Sequence, residues 1–339
     1  MKRISDLLRR LRGTIILCVG DIMLDHFIYG EASRLSPEAP VPVVGVKRKI
    51  SMPGGMGNVA RNLAEVGVLP LAVGAAGDDP AARELAGLFA QAGWLPPILL
   101  RDPGRTTSVK TRVIAGRQQV VRVDEETTRP LGAEIEAKLI EAARRHAAGA
   151  RAITLSDYGK GCLTPRLVAE LAGLARELGI PAVVDPKGSD YSKYRGATLV
   201  TPNRRELAEA AGRELAGAPE MIEAGLELMR RHDLENLLIT RSEEGMILLT
   251  GENRIALPAM AREVADVSGA GDTVVAMMAA ALSVGAPPLL AAQLATLAAG
   301  VVVGKIGTAV AGPAEIEAAA AGWDYLAENT RTLEKNGLA

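Results

Sequence analysis

The stretch Asp266-Val-Ser-Gly-Ala-Gly-Asp272-Thr, followed at once by the apolar run Val274 to Leu282, joins a glycine-rich turn to a carboxylate at a helix start. The small residues Gly269, Ala270 and Gly271 leave backbone N–H groups unobstructed, so those amides and the helix dipole can hold phosphate oxygens. Asp272 falls in the first helical turn beside that anion hole. The dipole favours its ionised form, which can accept a proton from an attacking hydroxyl. A plain glycine-rich loop with an aspartate near a helix N-terminus has the same composition, so other residues must support the chemical reading. The stretch has neither the Lys-Ser/Thr of a Walker A loop nor the G-x-G-x-x-G of a dinucleotide fingerprint, which demotes those two nucleotide folds.

A second glycine cluster, Pro53-Gly-Gly-Met-Gly-Asn58-Val-Ala-Arg-Asn62, runs into a helix. Gly54 and Gly55 allow close backbone approach to a ligand, and Asn58 offers a donor and an acceptor that suit sugar hydroxyls. An N-cap with a flexible entry is the structural alternative. Asp21 and Asp25 follow the first strand, where open α/β sheets place ligands. Capping of the following turn is the preferred reading for Asp21, and ligand binding for Asp25. Asn203 and Glu206 sit three apart at another helix start. A capping pair is the plainer reading, and water-mediated contact with a hard cation such as Mg²⁺ is the functional one. Thr240, Arg241, Ser242 and Gly245, after a further apolar strand, are candidate nucleotide contacts.

These residues need a frame. Strands are expected at Ile15–Val19, Leu71–Ala75, Ala152–Ser156, Ala182–Asp185, Ala197–Val200 and Leu237–Thr240, and helices at 57–66, 80–92, 132–148, 165–178, 203–212, 218–231, 271–284 and 288–304. Such alternation predicts an α/β fold, a doubly wound and mostly parallel sheet with helices on both faces. Segments near 28–50 and 106–124 instead alternate with period two, and Ala115-Gly116-Arg117 reads as a hairpin turn. They predict a small second sheet, acting as a lid or lying as a solvated edge. No repeat or long linker divides the chain, so one domain over 1–339 is expected.

Bulk properties narrow the partners. The 39 Lys and Arg against 40 Asp and Glu leave no excess field for nucleic acid or an anionic membrane, which favours a small-molecule substrate. Cys18 and Cys162 have no partner at metal or redox spacing and read as buried thiols of a reducing compartment. The basic start MKRISDLLRRLRG precedes an apolar run that is too short for a secretion signal and is interrupted by Asp21 and Asp25. A short amphipathic helix and a cytoplasmic location are expected.

The segments PGGMGNVARNLAEVG (53–67), DVSGAGDT (266–273) and NRRE (203–206) resemble, in order and spacing, the signatures of the ribokinase-like (PfkB) carbohydrate kinase family, and the likeness covers nearly the whole chain. By that resemblance Asp272 is the base, the amides of Gly269, Ala270 and Gly271 form the anion hole, and Asn203 and Glu206 organise Mg²⁺ and the phosphates of ATP. A monovalent cation is a further candidate cofactor, and a homodimer through the lid is implied.

Within the family, VGDIMLDHFIYGEASRLSPEAPVPVV (19–44), KTRVIAGRQQVVRVDEE (110–126), LSDYGKG (155–161), VVDPKGSDYSKYRGATLVTPN (183–203), ITRSEEGM (239–246) and AAGVVVGKIGT (298–308) resemble the bacterial D-glycero-β-D-manno-heptose-7-phosphate kinases of lipopolysaccharide heptose synthesis. Those enzymes phosphorylate the C1 hydroxyl. Another kinase of this fold acting on a different sugar, sugar phosphate or nucleoside is the alternative, and an idle sugar-binding relative is disfavoured because base and anion hole are both intact. Many relatives continue into a nucleotidyltransferase with an H-x-G-H-type motif; none stands before Ala339, so only the kinase step is expected. A phosphorylated acceptor needs cations. Lys110 and Arg112 are expected on one face of the hairpin, with Gln118, Val120 and Arg122 on the facing strand; Arg34, Lys160 and Lys187 are further candidates. Thr296 stands where many relatives carry Asn, which reshapes an adenine contact and not catalysis.

Overall fold

Strands rich in Ile, Leu and Val alternate with Ala- and Leu-rich helices in the computed structural model, which describes residues 2–333 apart from Arg117 and Arg262. The turn residue Arg117 and the chain end at Ala339 therefore lie outside the described residues. The strands are β1 (Ile15–Gly20), β2 (Ile22–Leu35), β3 (Pro42–Gly55), β4 (Leu69–Ala76), β5 (Ile98–Arg101), β6 (Ser108–Ala115), β7 (Gln118–Glu125), β8 (Ala152–Ser156), β9 (Ala182–Asp185), β10 (Leu199–Val200), β11 (Leu237–Thr240), β12 (Met246–Leu249), β13 (Arg254–Leu257) and β14 (Arg331–Thr332). The helices are α1 (Lys2–Leu11), α2 (Met56–Glu65), α3 (Pro80–Gln91), α4 (Ala133–Ala147), α5 (Pro165–Leu178), α6 (Arg204–Ala211), α7 (Ala218–His232), α8 (Ala270–Ser283), α9 (Pro288–Val303), α10 (Pro313–Ala319) and α11 (Trp323–Asn329).

The larger sheet runs β14-β13-β12-β11-β10-β9-β8-β1-β4-β5. Its strands pair in parallel from β5 to β11, and β12, β13 and β14 complete one edge in antiparallel fashion. Continuous apolar strands such as Ile-Ile-Leu-Cys-Val in β1 suit a sheet covered on both sides. One core lies on the face carrying α1, α2, α8 and α9, the other under α4, α5 and α7. Helix α8 buries 11 of its 14 residues, which explains why its sequence is apolar all round. Local signals set the ends of α5: the Thr164 hydroxyl accepts from Leu167 N, Pro165 opens the helix, and Gly179 closes it in a left-handed conformation.

The second sheet runs β3-β2-β6-β7. β2 leaves β1 across a single residue, Asp21, and returns through β3 directly into α2, so this sheet is tied at both ends to the larger one. Its strands extend past the expected 28–50 window to Ile22 and Gly55. The reading at 197–200 shortens to Leu199–Val200, and β5, β12, β13, β14, α10 and α11 carry too short a pattern to have been read. The N-terminal stretch forms α1, which buries Ile4, Leu7, Leu8 and Leu11. No helix among the described residues is long and apolar enough to cross a membrane.

Candidate active site

The sheet reverses its winding between β1 and β8, because β1 is followed by β4 on one side and β8 by β9 on the other. At such a switch point the loops leaving the carboxyl ends diverge and open a crevice. Asp21 ends β1 and reaches across it: Oδ2 accepts from the amides of Tyr158 (2.8 Å) and Lys160 (2.9 Å), and Oδ1 from that of Cys162 (3.0 Å). Asp21 is thus structural, as expected, yet the loop it caps is the distant one after β8.

Asp272 lies in the first turn of α8, buried at 6% exposure. Its Oδ2 accepts from Asn58 Nδ2 at 2.6 Å, and its Oδ1 from the Tyr158 hydroxyl. Burial pushes its carboxyl up to about 6, against the two hydrogen bonds that lower it, while the nearby Asp25 adds to the rise. At pH 7 the ionised form therefore outnumbers the protonated one by about ten to one. The carboxylate can accept a proton at neutral pH, by a narrower margin than the helix dipole alone implies. Asn58, expected to meet a sugar hydroxyl, is fully buried and already donates its amide to Asp272. Gly269 begins the helix at φ +79°, and a Cβ there would stand 2.7 Å from Asn58 Nδ2, so glycine is required.

The first amides of a helix have no intrahelical acceptor. In α8 the Ala270 amide donates to Val267 O at 3.2 Å, closing the turn. Gly269, Gly271 and Asp272 retain unpaired amides among the described residues, whereas Ala270, expected beside Gly269 and Gly271 in an anion hole, has its amide engaged in the turn. Such free amides at a helix start can receive an anion.

The smaller sheet contributes Asp25, on β2, which is paired with Arg112 on β6 at 2.6 Å. The Arg112 guanidinium also lies 5.0 Å over the Phe27 ring. Gly54 makes room for this carboxylate, since a Cβ there would meet Asp25 Oδ2 at 2.2 Å. Arg112 and Arg122 are cross-strand partners, as are Lys110 and Asp124. A bulge between Val113 and Ile114 pairs Ala115 with Gln118 and Ile114 with Gln119. The extra residue reverses the alternation, so Gln118 faces away from Arg112 and Arg122, contrary to expectation. Most of the expected cations are partnered: Lys110 with Asp124 and Glu126, Lys160 with Glu126 at 2.7 Å, Arg122 with Asp124, and Lys187 with Glu206 at 2.8 Å. Arg34 lies exposed near the far end of β2.

Asn203 and Glu206 form the capping box of α6: Asn203 Oδ1 accepts from Glu206 N at 2.9 Å, and Glu206 Oε2 from Asn203 N at 3.1 Å. Glu206 is also bonded to Lys187, so both of its oxygens already have partners. Thr240 bridges to Asn203, and the turn after it closes with Arg241 N donating to Gly245 O at 2.9 Å. Arg241 bonds Glu244 at 2.7 Å. A cavity of about 650 Å³ opens beside Asn203, Thr240, Arg241 and Ser242, and Asp272 does not line it. Thr296 is buried in α9 and donates to Ala292 O at 2.8 Å.

Sequence reasoning missed Tyr158 and Asp185. Burial and the neighbouring Asp272 and Glu206 push the Asp185 carboxyl well above the usual range. Both residues sit at carboxyl ends of strands flanking the switch point, and that position was the available signal.

The pfkB family carbohydrate kinase pattern matches residues 14–315. The bifunctional protein HldE of Paramagnetospirillum magneticum is 49% identical over 315 residues, covering 92% of this chain and 64% of that protein. The chain thus spans just under two thirds of the length of such curated relatives. Phosphofructokinase-2 from Escherichia coli, solved in complex with potassium, superposes with a TM-score of 0.77 at 20% identity, over 93% of this chain and 99% of that one. Arabidopsis thaliana ribokinase complexed with ribose and ATP gives 0.68 at 17% identity, over 91% and 98%. At these identities the two structures establish the fold alone.

Proposed function

We propose, from the premise that this chain belongs to the pfkB family of carbohydrate kinases, that it transfers the γ-phosphoryl group of ATP to the C1 hydroxyl of D-glycero-β-D-manno-heptose 7-phosphate, giving the 1,7-bisphosphate. Members of the family are phosphotransferases with an alcohol acceptor. The heptose assignment is supported by the subfamily stretches between residues 19 and 308 and by the 49% identity to a protein named HldE. The observation that carries the mechanism is Asp272, a buried carboxylate beside unpaired amides at the start of α8.

Phosphoryl transfer passes through a loose transition state whose charge sits on the transferred oxygens, so positioning and electrostatics dominate. The Gly269, Gly271 and Asp272 amides receive those oxygens. Asp272 accepts the proton of the attacking hydroxyl as the hydroxyl oxygen bonds to the γ-phosphorus and the bond from that phosphorus to the β,γ-bridging oxygen breaks, releasing ADP. Asp25, fixed by Arg112, is placed to accept hydrogen bonds from sugar hydroxyls, and the smaller sheet covers the acceptor from water as a lid. Mg²⁺, held through its waters by Asn203 and Glu206, would neutralise charge on the phosphate oxygens.

One kinase domain spans 1–339 in this reading. Val46, Val121 and Val123 lie about half exposed on the sheet face opposite Asp25, which supports a homodimer through that face. An ADP-release assay with heptose 7-phosphate, unphosphorylated heptose, fructose 6-phosphate, ribose and a nucleoside tests the substrate, with ³¹P NMR locating the new phosphate. Activity confined to a non-heptose acceptor would refute the heptose reading.

A further inference from the structure

Tyr158 has no part in the mechanism above, although it touches the base. We propose that Tyr158 is a positioning residue: its hydroxyl and the Asn58 amide together fix the Asp272 carboxylate in the orientation that receives the acceptor's proton. The inference rests on the reading of Asp272 as base.

The two donors take different oxygens of Asp272, Tyr158 on Oδ1 and Asn58 on Oδ2. Opposed donors fix the carboxylate's rotation and still leave lone pairs for an incoming hydroxyl. No cation among the described residues lies within ion-pair distance of Asp272. Two neutral donors therefore oppose the burial that disfavours its ionised form.

The groups facing this pair are acidic. Asp25 and Asp185 lie close enough to act on Tyr158, with Arg112 tied to Asp25 and Lys187 tied to Glu206. Burial and these carboxylates push the phenol well above its ordinary range, so it stays protonated and donates at every working pH.

Tyr158 is also held still. Its own amide and those of Lys160 and Cys162 converge on Asp21. Asp157 Oδ2 accepts from Lys193 Nζ (2.5 Å) and the Tyr194 hydroxyl (2.7 Å). Buried Arg105 donates to Lys160 O (2.5 Å), Thr127 O (3.2 Å) and Arg129 O (2.7 Å), clasping the loop to the segment after β7. A loop anchored at so many points does not swing aside as a gate; it holds the phenol at a fixed place.

The test is Y158F, read in two ways: ¹³C NMR titration of the Asp272 carboxyl in the ligand-free protein, and the pH dependence of kcat/KM. Loss of a hydrogen bond to a charged group should move both midpoints up by roughly one to two pH units, from about 6 in the parent protein. kcat/KM at pH 7 should fall about two- to tenfold with the KM for ATP unchanged. 3-Fluorotyrosine placed at position 158, isosteric and a stronger donor, should move the midpoints down; it decides the matter should Y158F fold poorly. Midpoints that move with neither replacement overturn the inference. D272N separates the two claims: if it keeps the acid limb and the turnover, the base assignment falls, whereas unmoved Y158F midpoints with an inactive D272N remove only the role of Tyr158.

Discussion

Asp272→Asn should abolish turnover and at the same time make the protein more stable above pH 6. In the folded protein Asp272 keeps its proton until about pH 6, whereas its ordinary value is 3.8. Below 3.8 both states are protonated and the group is neutral to folding. As pH rises through 6 the folded protein comes to hold a buried charge that its two hydrogen bonds only partly offset, and the stability associated with the protonated form is lost. A difference of roughly two pH units corresponds to about 3 kcal/mol, fully expressed above pH 6. Asparagine removes that charge. The Tyr158 hydroxyl keeps an oxygen to bond, and Asn58, whose buried Oδ1 has no partner, can turn its amide to accept from the new NH₂. The expected gain is therefore about 1–3 kcal/mol at pH 8, or a few degrees in Tm, shrinking to nothing near pH 4. Thermal unfolding of the two proteins by circular dichroism between pH 4 and 8.5 measures it. Turnover should fall about a hundredfold or more. If the parent protein is the more stable at pH 8, or if the difference does not close with acid, the electrostatic account of Asp272 is wrong.

Gly54→Ala drives a Cβ into Asp25 Oδ2 and should raise the acceptor KM about tenfold or more with little change in the KM for ATP; an unaltered acceptor KM would detach Asp25 from the sugar. Glu206→Gln preserves a capping side chain on α6 but removes the charge that faces Lys187, so half-saturation with Mg²⁺ should rise roughly tenfold in a metal titration of the kinase reaction. A coincident metal titration would leave Glu206 as a cap alone. Val121→Glu with Val123→Glu places charges on the exposed face of the smaller sheet and should convert a dimer to a monomer by light scattering; a mass unaffected by the pair rules out that face as the contact.

Elements with a local cause were legible. The α5 boundaries follow from Thr164, Pro165 and Gly179, all within the segment itself, and the apolar strands follow from burial on two faces. The start of α8 and the glycines beside it were legible because a helix start advertises its own free amides. What could not be read is who meets whom. Asn58 had the right chemistry for a sugar, and only its full burial against a residue more than two hundred positions away turns it toward Asp272. Gln118 had the right parity until a one-residue bulge reversed it. Lys110, Lys160 and Arg122 looked like free cations, yet Asp124 and Glu126 share them. Such pairings are decided by register and loop closure, which leave no periodic trace in the chain.

One chain assembles a buried carboxylate with a raised pKa from distant segments. Burial raises Asp272, and the compensating donors come from α2 and from the loop after β8, which Asp21 ties to the end of β1. Three segments far apart in sequence therefore meet at the sheet's switch point, each fixed by structural bonds that do no chemistry. A carboxylate poised near pH 6 requires all three, because any one of them alone leaves it either too free to aim the proton or too poorly solvated to ionise.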